Sequence, residues 1–156
     1  MSKTVSTCIL ETNQVLNQPQ ENLFFHTIYR TQADYPNEFL RTARSTSPIQ
    51  ICALFSCIGP DNLGAVLNIE LNEELTKIVA SCQNQPVLDF EAFSNQVINV
   101  LNVKVCGFSV SRGGKSLKVS MTMIVIEGDT LRVIHVGNTK AVLVRENRIM
   151  ALTEEH

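Results

Sequence analysis

The chain has 156 residues, of which 44% are hydrophobic and 18% charged, and its formal net charge is −2. That length suits one domain with a real core, and the apolar content excludes a disordered chain. The near-neutral balance gives no global pull toward nucleic acid or an anionic membrane, and no apolar run reaches the roughly 18 residues of a spanning helix.

Met1–Leu10 lacks the apolar core and small-residue cleavage site of a signal peptide, so a cytoplasmic location is expected. Thr4–Glu11 (TVSTCILE) and Asn22–Arg30 (NLFFHTIYR) are rich in β-branched and aromatic residues and read as strands. A polar loop around Pro19 separates them, and Tyr35–Gln50 suggests a short helix ending before Pro48. Gln50–Ile58 (QICALFSCI) is a continuous apolar run, the pattern of a strand buried on both faces. Gly59–Asn62 then marks a helix start, with Asp61 or Asn62 as the cap. Apolar residues at 63, 66, 67, 71, 75, 78 and 79 recur behind it at helical spacing. A second helix is predicted over Asp89–Val103, capped by Asp89, with Phe90, Phe93, Val97, Ile98 and Leu101 on one face. Ser111–Ser116 (SRGGKS) is a basic connector whose Arg112 and Lys115 lack the spacing of a phosphate loop.

From Leu117 the pattern turns to β. Strands are predicted over Leu117–Ile126, Leu131–Val136, Ala141–Arg145 and Ile149–Thr153, with Gly128 and Asn147 supplying tight turns. Met121, Met123 and Ile124 read as core, and His135 as an outward-facing or satisfied strand histidine. The order β-β-β-α-α-β-β-β-β implies an α+β fold, antiparallel β-sheets layered with two helices.

The five cysteines, Cys8, Cys52, Cys57, Cys82 and Cys106, form no C-x-x-C pair and read as reduced, buried thiols. Cys52 and Cys57 lie five positions apart in one strand, so alternation sends them to opposite faces. Cys57 has no histidine near it in sequence and reads as a small buried residue, not a nucleophile. His26, His135 and His156 show no ligand spacing.

The closing stretch Ile126–His156 (IEGDTLRVIHVGNTKAVLVRENRIMALTEEH) resembles the strand–turn region of the metal-dependent protein phosphatases of type 2C. There a strand ending Val-Gly-Asp-Ser-Arg-Ala leads through another strand and turn to Leu-Thr-x-x-His. Gly137, Ala141, Leu152, Thr153 and His156 match, while Asn138, Thr139 and Lys140 stand in for Asp, Ser and Arg. Asn17–Phe25 (NQPQENLFF) resembles the family's Arg-x-x-Asn-Glu-Asp-x-Phe-Phe opening, with Glu21, Phe24 and Phe25 kept. Phe55–Asn68 resembles the Phe-Asp-Gly-x-Gly-Gly turn before the first long helix, with Phe55, Gly59 and Gly64 kept. The resemblance implies one partial domain over 1–156, roughly the N-terminal half of an α/β/β/α sandwich, with the family's remaining aspartates in segments beyond His156.

The resemblance also implies a damaged site. Working members hold two magnesium or manganese ions through carboxylates and a backbone carbonyl, because hard cations want anionic oxygen. Here the metal-site positions are Glu21, Asn22, Ser56 and Cys57, and only Glu21 is acidic. The phosphate-clamping arginine falls at Asn17, and a histidine present in many members falls at Ile58. Lys118-Val119-Ser120 replaces a motif that begins with glycine. The expected function is therefore a catalytically inactive, pseudophosphatase-like module, binding no metal and acting through protein interaction or regulation in serine/threonine phosphorylation signalling. The competing expectations are a metal-dependent phosphatase completed by further sequence or another chain, and a structural assembly subunit. Outside completion cannot restore carboxylates at positions 22 and 56. Partner binding or self-association, as a homodimer or larger oligomer, is expected through strand edges or an apolar sheet face.

Overall fold

The computed structural model describes residues 21–28, 49–83 and 88–154. The strand expected over Thr4–Glu11, the short helix before Pro48, and the positions Asn17 and His156 lie outside the described residues. Within them run strands β1 (Glu21–Ile28) and β2 (Ile49–Ile58), helices α1 (Leu63–Cys82) and α2 (Phe90–Ser111), then strands β3 (Lys118–Glu127), β4 (Thr130–Val136), β5 (Val142–Arg145) and β6 (Arg148–Ala151). The α+β class holds. A four-stranded antiparallel sheet has the order β1-β2-β3-β4, and β5 and β6 pair as a separate two-stranded ribbon.

The core lies between that sheet and the helix pair. Ile49, Ile51, Ala53, Phe55 and Cys57 of β2 are buried, with Phe24 and Ile28 of β1 and Met121, Met123 and Val125 of β3 around them. Against them pack Leu67, Leu71, Leu75 and Val79 of α1 and Phe93, Val97 and Leu101 of α2. Each fully buried Leu or Phe of this kind contributes on the order of 1.5–3 kcal/mol relative to exposure.

One expectation for β2 is corrected. Its residues alternate between buried and half-buried: one face packs fully against the helices, while Cys52, Leu54 and Ser56 look away from them and stay partly accessible. The two helices shield a single face of the sheet, and period-2 alternation puts every second residue on the other. Cys52 and Cys57 do fall on opposite faces, half-buried and buried respectively. Ile124 is likewise half-buried on the far face, whereas Met121 and Met123 are core.

The helix ends differ from each other. Asp89 caps α2, its carboxylate accepting from Ala92 N at 3.1 Å. Neither Asp61 nor Asn62 caps α1 through its side chain: both have left-handed backbone (φ 53° and 62°), whereas a capping residue is normally extended. Asp61 instead pairs with Lys115 at 3.3 Å, an exposed contact worth little. The second helix also runs beyond Val103 to Ser111, because Val105 and Phe108 extend the inward row from Leu101. Ile98, expected inside, is 41% exposed.

Where β2 turns into α1, Gly64 is buried against the Cys57 carbonyl. A Cβ there would collide with that oxygen and lie 2.9 Å from the Cys57 carbonyl carbon, which is backbone and cannot swing aside. Gly64→Ala should therefore lower stability by about 1–3 kcal/mol, read as an earlier urea midpoint at unchanged slope. An unchanged midpoint would contradict this close approach.

Candidate functional site

The family-site positions gather at one end of the four-stranded sheet. The β1–β2 register sets Glu21 across from Ser56 and Asn22 across from Phe55, and the β2–β3 register sets Ser56 across from Ser120. Glu21, Ser56 and Ser120, far apart in sequence, thus stand side by side in neighbouring strands, whereas Asn22 is set opposite Phe55. Ser120 continues the row to the loop after β4: its hydroxyl donates to Asn138 Oδ1 at 2.8 Å and accepts from Asn138 N at 3.3 Å. Gly137 makes this approach possible. Its φ is +91°, and a Cβ would lie 2.8 Å from Ser120 Cβ.

A second polar row lies one step along the strands. Thr122 is buried, and its hydroxyl sits 2.6 Å from Thr139 Oγ1 and 3.0 Å from His135 Nδ1. His135 Nε2 lies 3.0 Å from the Glu154 carbonyl, which can only accept, so Nε2 carries the proton. In the neutral ring Nδ1 then accepts from Thr122, and Thr122 accepts from Thr139. Both hydroxyls of this Thr139–Thr122–His135 relay have a partner, as the burial of Thr122 demands. Below it, Ala141 N donates to Thr153 Oγ1 at 2.9 Å and Leu152 N donates to Ala141 O at 2.9 Å. Thr122, His135 and Thr139 were not singled out as a group by sequence. Their separations of 13 and 17 residues leave no local signal, and only strand register joins them.

These donors do not fit a pair of hard divalent cations. Ser56, Ser120, Asn138 and Thr139 are all neutral, and Ser120, Asn138 and Thr139 are engaged with other side chains. Among the described residues no three of His, Cys, Asp or Glu gather as a metal-holding group. Cys57 is not a nucleophile either. Its Sγ donates to Asn68 Oδ1 at 3.2 Å on the helix side of the sheet, and burial pushes the thiol up to about 12. An apolar cleft of about 220 Å³, lined by Phe55, Leu101, Val105, Val119, Met121 and Val136, also lies on the helix side, away from Ser56. Lys115 makes an exposed contact with Asp61, and the Ser111–Ser116 connector is exposed. No described helix is long and apolar enough to cross a membrane.

No family model matches the sequence, and no curated protein matches it significantly. Solved structures do match. A Mycobacterium tuberculosis serine/threonine phosphatase, PstP/Ppp, superposes with a TM-score of 0.59 at 14% identity, covering 86% of this chain and 55% of that one. A bacterial serine phosphatase bearing an Arg-to-Glu mutation superposes at 0.67 and 13% identity, covering 94% and 59%. The catalytic domain of PstP, in complex with 2 manganese ions, superposes at 0.58 and 14%, covering 86% and 56%. The chain therefore has the fold of serine/threonine phosphatases of this type, and it spans between 55% and 59% of their length.

Thiol reactivity should follow these positions. Cys106 is exposed, contrary to the expectation that the thiols are buried, because its position on α2 faces outward while Val105 and Phe108 face in. In a Cys8→Ser background, Cys106 should react fastest, Cys52 more slowly, and Cys57 and Cys82 only on unfolding. The raised Cys57 pKa also has a sign: the fold holds its thiol proton more tightly than the unfolded chain. That contribution is fully present below pH 9.0 and is lost as pH rises toward about 12. Cys57→Ala should flatten the loss of stability over that window; an equally steep loss would show that Cys57 is not its source.

Proposed function

We propose that this chain is a non-catalytic phosphatase-fold module that works by binding another protein, in the manner of a pseudophosphatase. The observation that carries the reading is the row Ser56–Ser120–Asn138. At the end of the sheet where the resemblance puts cation ligands, these side chains are neutral, and two of them are hydrogen-bonded to each other. A hydroxyl or amide lacks the charge that offsets stripping water from magnesium or manganese. Each missing carboxylate removes on the order of several kcal/mol of attraction for a divalent ion at an effective dielectric of about 20. The fold persists because its core, its registers and the Gly64 approach are independent of that chemistry. A packed scaffold with neutral side chains at those positions is suited to recognition.

Calorimetry on the purified protein should find manganese binding no tighter than about millimolar, and no turnover of a small aryl phosphate. Asn22→Asp combined with Ser56→Asp should tighten manganese binding by at least about tenfold, since both carboxylates enter adjacent strands at the same end of the sheet. Two micromolar manganese sites in the wild-type protein, or turnover abolished by Glu21→Ala, would overturn the reading.

A further inference from the structure

The apolar cleft beside α2 has its cause in the strand ends. β3 begins at Lys118, but β4 ends at Val136, opposite Met121. Val119 therefore has Cys57 of β2 on one side and no β4 residue on the other. Above this gap, α1 packs closely over β1 and β2, whereas α2 stands off from β3 and β4. The cross-strand row Phe55–Met121–Val136 makes the floor of the cleft, and Leu101, Asn102 and Val105 of α2 make its wall. Val136 and Ile98, both exposed, stand at its mouth.

Size and lining restrict what can fill it. Its volume of about 220 Å³ exceeds the roughly 150 Å³ of an apolar cavity that stays dry and takes up benzene. It falls short of the roughly 300 Å³ at which pockets for drug-sized molecules begin. Water gains little there, since it needs about two to four polar partners and Asn102 is the one polar side chain of the lining. None of the lining side chains is charged, so an ionic group entering the cleft would lose its hydration without a counter-charge. Unfilled, the apolar lining lacks dispersion partners on one side. Asn102, exposed on α2, brings an amide that both donates and accepts.

We propose that this cleft is a binding site for a small neutral ring compound, the size of a substituted benzene or an indole, with one hydroxyl or carbonyl directed to Asn102. The ring rests on the Phe55–Met121–Val136 row, where the thioether of buried Met121 adds a polarisable contact. The polar group stays at the α2 wall, within reach of the amide. The site is on the opposite face of β3 from Ser120, and it stands apart from the reading of the chain as a protein-binding module.

Methyl NMR on the isotopically labelled full chain, titrated with benzyl alcohol, toluene and benzoate, tests this. Benzyl alcohol should give saturable shifts at the Val105, Val119, Met121 and Val136 methyls, with a dissociation constant of about 1 mM or tighter. Benzoate should bind at least about tenfold more weakly, because its carboxylate must be desolvated. Asn102→Leu should weaken benzyl alcohol at least about threefold without weakening toluene. Val119→Phe, which fills the cleft, should remove the binding of both. Asn102 is exposed, so the first variant keeps the fold even where the second does not. No saturable shift at these methyls, as when another segment of the chain or a second copy already fills the cleft, would overturn the proposal. So would benzoate binding as tightly as benzyl alcohol, an Asn102→Leu protein with unchanged affinity for benzyl alcohol, or a folded Val119→Phe protein that binds toluene like the wild type. Tight manganese sites would overturn the non-catalytic reading and leave these titrations as they are.

Discussion

The antiparallel ladder between β2 and β3, from Ile49 opposite Glu127 to Ile58 opposite Lys118, is the constraint on which the other placements rest. It pairs Ile51 with Val125, Ala53 with Met123 and Phe55 with Met121, all buried against the helices. A slip of one residue would turn those side chains to the far face and bring Cys52, Leu54 and Ser56 under the helices. The hydrophobic cost of that exchange locks the register. With that register locked, Ser56 has no choice but to face Ser120, and the neighbouring β3–β4 register sets Thr122 opposite His135. The polar rows are by-products of apolar packing on the other side of the same strands.

Those rows do structural work. The loop after β4 is held by Asn138 on Ser120 and by Thr139 on Thr122, while Thr153 and the Glu154 carbonyl tie the segment after β6 to Ala141 and His135. Each bond is modest alone, worth about 0.5–1.5 kcal/mol net. As a connected set they satisfy one another, which is what makes buried Thr122 tolerable. Neutral side chains can complete such a set without any ion, whereas a cluster of carboxylates facing one another would repel. Asn138 and Thr139 are therefore consistent as a pair: short donors and acceptors close the loop.

Much of this was legible from local signals. Asp89 before an apolar helical row announced the α2 cap, and Glu146-Asn147 between alternating residues announced a turn whose two residues both take positive φ, 48° and 63°. Gly64 and Gly137 stood out through the phosphatase resemblance, and each has a steric reason in the structure. What stayed hidden depends on three-dimensional context. An unbroken apolar run in β2 does not reveal which alternate residues a layer covers, so Leu54 looked as buried as Phe55. Asp61 had the chemistry of a cap, but the left-handed turn after Pro60 sends it to Lys115 instead. The second helix is legible in the sequence only as far as Val103, yet Val105 and Phe108 carry α2 on to Ser111. The Thr139–Thr122–His135 chain had no sequence signature, because its members come from two strands and a loop.

A sheet end tied together by the Ser120–Asn138 and Thr122–Thr139 bonds should hold its shape without metal. Amide hydrogen exchange at residues 138–141, measured in millimolar manganese and again in chelator, addresses that point most directly. Equal protection in both conditions, lost when Thr122→Val removes the shared hydroxyl, is the expected result. Protection that appears only with manganese would mean that an ion, and not the Ser120–Asn138 and Thr122–Thr139 bonds, organises this loop.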